Sequence, residues 1–175
     1  SICYVNAFQT QPGERDAWPA DLLLRDAAGA PIIDPDWPDE VIVDTRDAAA
    51  VAAVVTPWIR GCADAGFDAV EFDNLDSWTR FDETPMEDEV PFGEADAIAY
   101  AELLADLAHA HGLAAAQKNT VELPAEVARE RIGFDFVVAE ECGHWDECQG
   151  YVDVYGDHII AIEYEQADFE TTCRD

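Results

Sequence analysis

The stretch DAVEFDNLDSW, residues 68–78, decides the reading of the fold. A short apolar run, AVEFD at 69–73, ends in Glu71, Asp73, Asn74 and Asp76. A brief apolar run closed by such residues reads as a buried strand. Five further runs share the pattern: ICYVN (2–6), VIVD (41–44), LAAAQK (113–118), DFVVAE (135–140) and HIIAIEY (158–164). Each finishes in functional groups: Asn6, Asp44, Lys118 with Asn119, Glu140, and Glu163 with Tyr164. In parallel α/β sheets all C-terminal strand ends lie on one face, and that face binds and reacts. The charge at 71–76 is therefore one part of a ring.

Helical patterns separate several of these runs. EADAIAYAELLADLAHAH (94–111) carries Ile98, Ala101, Leu104, Ala105 and Ala108 at helical spacing, and Gly112 follows as a residue suited to a left-handed stop. A second helical segment covers 48–65 and stops at Gly66, with a kink or break expected at Pro57. PAEVARERIG (124–133) has Pro124 at its start and Gly133 at its end. Strands alternating with helices predict βα units and a parallel sheet. Runs such as FVVA and HIIAI suit strands buried on both faces. Residues 7–40, with PGERDAWP and DPDWPDE, read as a surface excursion with little regular structure.

The 175 residues suffice for one domain, 1–175. Nine basic residues face thirty-nine acids for a net charge of −30, and Lys118 is the only lysine. Such a surface repels nucleic acid and anionic membranes and attracts a cationic ligand. It also suits high salt. No apolar stretch approaches the roughly 20 residues that span a bilayer, so no membrane insertion is expected. The five cysteines are Cys3, Cys62, Cys142, Cys148 and Cys173, an odd number that leaves at least one without an internal partner. Cys142 and Cys148, in ECGHWDEC, read as a local disulfide, which implies an oxidising, extracytoplasmic compartment. The alternative is zinc on Cys142, His144 and Cys148, which lacks a fourth ligand nearby.

Side chains alternate along a strand, so Glu71 and Asp73 point the same way while Glu140 and Glu141 point apart. Two carboxylates converging from different strands meet the needs of glycoside hydrolysis: one protonates the leaving oxygen, and the other attacks the anomeric carbon or activates water. Trp78, Trp145 and Tyr164 offer sugar-stacking faces. Structural readings stand beside these. Asp44 and Asp76 also suit helix caps. The DNLD run resembles part of a calcium loop but lacks its glycine and distal glutamate. His109 and His111 suit a helix C-terminus better than a metal pair, and His158 opens a strand without a visible partner.

The motifs ICYVNAFQTQP, DPDWPDE, GFDAVEFDNLDS, GLAAAQKN, GFDFVVAEECGHWDEC and IEY, in that order, resemble glycoside hydrolase family 114, the endo-α-1,4-polygalactosaminidase-like (β/α)8 barrels. The likeness runs from residue 2 to about 173. It implies a retaining endo-hydrolase of α-1,4-linked galactosamine polymers. Together with the local disulfide, a secreted or cell-surface monomer without cofactor or metal is expected. It places the catalytic aspartate at Asp73, as nucleophile, and the catalytic glutamate at Glu140, as general acid/base. Tyr4, Asp44, Glu71, Asn74, Lys118, Asn119, Glu163 and Tyr164 would line the cleft, with Lys118 holding Asp73 ionised. A polycationic substrate also accords with the acidic surface. The family barrel has eight strands and six are found here, so a chain trimmed at both ends, an incomplete TIM-type barrel, is expected. A non-catalytic carbohydrate-binding barrel and a metal-assisted hydrolase using the DNLD carboxylates are the competing functions.

Overall fold

The computed structural model describes residues 1–82, 84, 86–87 and 90–172. Five strands, β1 (Ile2–Asn6), β2 (Ala69–Asp73), β3 (Ala114–Lys118), β4 (Phe136–Glu140) and β5 (Ile159–Ile162), form one parallel sheet in sequence order. Helices α1 (Ala48–Asp64), α2 (Glu94–Ala110), α3 (Cys148–Tyr155) and α4 (Gln166–Thr172) and a π-helical segment, Glu126–Ile132, supply the crossovers and the end of the chain. Among the described residues the sheet is open, with β1 and β5 at its edges. This is an α/β fold laid out as an incomplete (β/α)8-type barrel.

The period of two sorts the strand side chains. Val5, Val70, Phe72, Ala115, Val137 and Ala139 join the core packed under the helices. Their neighbours Tyr4, Glu71, Asp73, Lys118 and Glu140 take the opposite face. Cys3 is on the helix side, where it is bonded to Cys62 of α1. Helix α2 buries Ala97, Ile98, Tyr100, Ala101, Leu104, Ala105 and Ala108, the stripe expected from its spacing. The left-handed Gly66, Gly112 and Gly133 follow α1, α2 and the π-helical segment.

One expectation fails and another fails in part. Helix α1 continues through Pro57 without the break that was one of the two outcomes expected there. Pro57 frees the carbonyl of Ala53, which is exposed and open to water, so the lost bond is tolerated. VIVD (41–44) is not a strand of the sheet, which leaves five parallel strands instead of six. Its residues form antiparallel bridges, Gln9↔Ile42, Leu23↔Val43 and Ile33↔Val41. The Val43 amide donates to the Phe8 carbonyl, and the Ile42 amide to the Ile32 carbonyl. The cause is topological. A parallel neighbour needs a crossover, usually a helix, and residues 7–40 supply none longer than a three-residue turn. Strand β1 pairs directly with β2 instead. The excursion is also more than surface. Leu24, Ile32 and Ile42 make a small second core with Phe81 and Phe92, which fastens residues 7–43 to the loop after β2.

Cys142 and Cys148 form the expected local disulfide, and Cys3–Cys62 is a second, 59 residues apart. In the chain-entropy model a loop of that length is worth about 4 kcal/mol. Cys173 lies outside the described residues. With both sulfurs of Cys142 and Cys148 in the disulfide, the zinc alternative is removed, and His144 pairs with Asp168 at 3.0 Å. No helix among the described residues is long and apolar enough to cross a membrane.

Candidate active site

Lys118 is the centre of the site. Its side chain is buried to 4% exposure at the end of β3. The ammonium nitrogen lies 3.0 Å from Asp73 Oδ1, 3.2 Å from Glu140 Oε2 and 3.8 Å from Glu71 Oε1. Strands β2 and β4 thus deliver three carboxylates to one cation at the end of the strand between them. Burial acts to lower the Lys118 pKa, but Asp73, Glu140 and Glu71 outweigh it and hold the group above its ordinary value. Burial raises the Glu71 carboxyl despite Lys118, and the charges of Asp73 and Glu140 add to the rise. Glu71 is thus the carboxyl beside Lys118 that holds its proton to higher pH than usual.

Hydroxyls complete the frame. Tyr4 donates to Asp73 Oδ2 at 2.6 Å, and Tyr164 donates to Glu140 Oε1 at 2.5 Å. Burial, then the bond to Asp73, pushes the Tyr4 hydroxyl above its ordinary value. Tyr164 is pushed up to about 12, chiefly by its bond to Glu140. Both remain donors at neutral pH.

The turns behind the carboxylates explain their placement. Asn74, Asn119 and Glu141 follow Asp73, Lys118 and Glu140, and all three adopt left-handed φ values of 62°, 46° and 56°. A non-glycine residue in that region is costly, least so for Asn, and such residues concentrate at functional sites. Each swings the chain away just past the strand end. Asn119 Oδ1 also accepts the Glu140 amide at 2.8 Å, tying β3 to β4 at that point.

Asp73, Glu140, Glu40, Trp37 and Trp145 line one cleft of about 470 Å³. Tyr4 also lines a neighbouring hollow of about 350 Å³, and Glu140 with Trp145 one of about 230 Å³. Of the residues expected in the site, Tyr4, Glu71, Asp73, Lys118, Glu140 and Tyr164 meet. Asn74 and Asn119 brace them from behind. Asp44 does not join them: it caps the turn at Thr45–Asp47 and pairs with Arg46 at 2.6 Å, in a separate depression. Glu163 turns to the Gly143 amide at 2.7 Å, bracing the loop that carries Trp145. Trp145 is 63% exposed, with its ring meeting that of His144 edge to face at 4.8 Å, whereas Trp78 packs against the core. Within DNLD, Asp73 is engaged by Lys118 and Asp76 by Arg80 at 2.9 Å, so these acids already have cations. His109 pairs with Asp135 at 2.9 Å, and His158 meets the Tyr155 carbonyl at 3.2 Å.

Sequence reading missed Glu40, Trp37 and Arg80. The first two sit in DPDWPDE, inside the segment read as irregular surface. No periodicity marks them, because they reach the cleft by a loop path and not by a strand.

The model of glycoside-hydrolase family GH114 matches residues 1–175. Comparison with curated proteins gives no significant match. Among solved structures, Aspergillus fumigatus Ega3 in complex with galactosamine superposes with a TM-score of 0.76 at 21% identity, covering 98% of this chain and 68% of that one. The glycoside hydrolase domain of PelA from Pseudomonas aeruginosa gives 0.54 at 18%, over 79% of this chain and 49% of that one. The α-galactosidase TtGalA from Thermus thermophilus, in complex with stachyose, gives 0.52 at 17%, over 78% and 28%. At these identities the likeness is one of fold: the neighbours are TIM-barrel glycoside hydrolases, and the open sheet corresponds to part of such a barrel. With the family match extending from the first residue to the last, the chain belongs to glycoside-hydrolase family GH114 and is a glycosidase.

Proposed function

We propose that the chain is an endo-acting, retaining hydrolase of α-1,4-linked galactosamine polymers, with Asp73 as nucleophile and Glu140 as general acid/base. The observation that carries this is the shared cation. Asp73 and Glu140 come from β2 and β4, and each holds Lys118 within hydrogen-bonding range. The two oxygens therefore lie within about 6 Å of each other. That bound accommodates the carboxyl separation of about 5–5.5 Å that retention wants, whereas inversion wants roughly 6.5–9.5 Å.

In the first step Asp73 attacks the anomeric carbon while Glu140 gives its proton to the leaving oxygen. The glycosidic bond breaks and a glycosyl ester on Asp73 forms. In the second step Glu140 takes a proton from water, the water oxygen attacks the anomeric carbon, and Asp73 leaves as a carboxylate. Lys118 suits both stages. It faces the Asp73 charge before attack and the Glu140 charge once Asp73 is esterified. Two further hollows share lining residues with the central cleft, Tyr4 in one and Glu140 with Trp145 in the other, which suits a substrate longer than one sugar and supports endo action. A net charge of −30 suits a polycation, and two disulfides suit a secreted protein.

Hydrolysis of a partially deacetylated α-1,4-galactosaminogalactan tests the reading. Oligosaccharides with initially retained anomeric configuration, detected by NMR, are expected from the wild type and not from Glu140→Gln. A folded protein that releases nothing overturns it.

A further inference from the structure

Glu40 lines the cleft, and its observed side-chain bond is to the Asn6 amide and not to a cation. Asp73, Glu71 and Glu140 share Lys118, and Asp34 and Asp76 share Arg80. Glu40 Oε2 accepts from Asn6 Nδ2 at 2.9 Å, and among the described residues its other oxygen has no hydrogen-bond or ion-pair partner. The residue is 9% exposed, yet it lines the same cleft as Asp73 and Glu140. A largely buried carboxylate that lines the cleft and has one oxygen without a protein partner can accept from a bound ligand.

Its position is built. Asp34, 1% exposed, accepts the amides of Asp36 and Trp37 in the turn leading to Glu40, and the Glu40 amide donates to the Trp37 carbonyl at 2.9 Å. Asp34 is held in turn by Gln9 at 2.6 Å and by Arg80 at 3.0 Å. From the other side Asn6 Oδ1 accepts from Asn74 Nδ2, which follows the nucleophile. Two rigid paths therefore fix Glu40 relative to Asp73.

We infer that Glu40 is the acceptor for the ammonium group of a bound amino sugar, and so determines preference for the free amine over a neutral substituent. This rests on the reading of the substrate as a galactosamine polymer. An ammonium supplies the cation that Glu40 lacks and donates to its free oxygen, a charge-assisted bond in a partly desolvated place. Burial raises the Glu40 carboxyl above its ordinary value, with Asp73 and Asp34 adding to it, as suits a site awaiting a positive ligand.

Calorimetric binding of galactosamine and of galactose to the wild type and to Glu40→Gln, at neutral pH and low ionic strength, tests this without turnover. Glutamine retains the acceptor for Asn6 and loses the charge. The expected result is a wild-type preference for galactosamine of about tenfold or more that Glu40→Gln abolishes while galactose affinity holds. No preference in the wild type, or one that survives in Glu40→Gln, overturns the inference. Hydrolysis separates the two readings. A chain that cleaves the polymer but keeps its preference in Glu40→Gln loses only the role of Glu40. A chain that cleaves nothing yet shows a Glu40-dependent preference loses the reaction and keeps the amine site.

Discussion

The Lys118 ammonium lies 3.0 Å from Asp73 Oδ1, joining the ends of two adjacent parallel strands. Both side chains face away from the helices, as period-two alternation demands. The contact turns a sheet position into an electrostatic one, because the only lysine of a strongly acidic chain is spent inside its cleft.

Lys118→Met should cost about 2–4 kcal/mol of stability at neutral pH, since it leaves three partly buried carboxylates facing one another. Raised carboxylate pKa values in the variant should shrink that deficit as pH falls. The folded pKa of Lys118 is raised, so its stabilisation is full below the unfolded value of ~10.4 and is lost as pH climbs through the folded one. Denaturant titrations of both proteins at pH 4, 7 and above 10 check this.

Tyr4→Phe removes the donor to Asp73 and Tyr164→Phe the donor to Glu140. A hydrogen bond to a charged group is worth about 1.5–3 kcal/mol, so each should lower kcat/KM by at least about tenfold. Both tyrosines are half-exposed or more, and Tm should move by only a few degrees. A large Tm loss with unaltered kcat/KM would contradict these roles.

Arg80→Ala should destabilise by about 3 kcal/mol, because the Asp34 side chain is fully buried and loses its cation. The turn bearing Trp37 and Glu40 should loosen, raising KM more than it lowers kcat. Arg80→Lys should recover only part of this, since a point charge cannot reach Asp34, Asp76 and Asn74 together. Thermal melts and steady-state kinetics report the two effects separately.

Glu40→Gln should raise Tm at pH 7 and leave it unchanged near pH 3. The Glu40 pKa is raised on folding, so its contribution is most favourable below the unfolded value and is lost as pH rises through the folded one. Removing the charge therefore helps only where the wild type is ionised. Lower stability of the variant at pH 7 would contradict the direction of the shift.

Replacing Cys3 and Cys62 together by Ala should cost about 4 kcal/mol, and replacing Cys142 and Cys148 roughly 2 kcal/mol, because the second loop closes only six residues. The second pair should affect kinetics more, since its loop carries Trp145 into the cleft. Chemical denaturation with parallel assays distinguishes the two.

The amino-acid sequence by itself determined whatever depends on local periodicity. Alternation along AVEFD assigned Glu71 and Asp73 to one face, and helical spacing identified the buried stripe of α2. Parallel βα order brought strand-end residues to a common side. Asp44 and Glu163 looked equivalent to the others on that basis, yet one turned to Arg46 and the other to Gly143. Only the tertiary structure decided these, together with the placement of 41–44 outside the sheet and of Glu40 inside the cleft. Side-chain alternation is a property of neighbours in the chain and can be read there. The meeting of Asp34 with Arg80, or of Asn6 with Glu40, depends on how a helix-free loop packs across the strand ends, and no periodic pattern records that path.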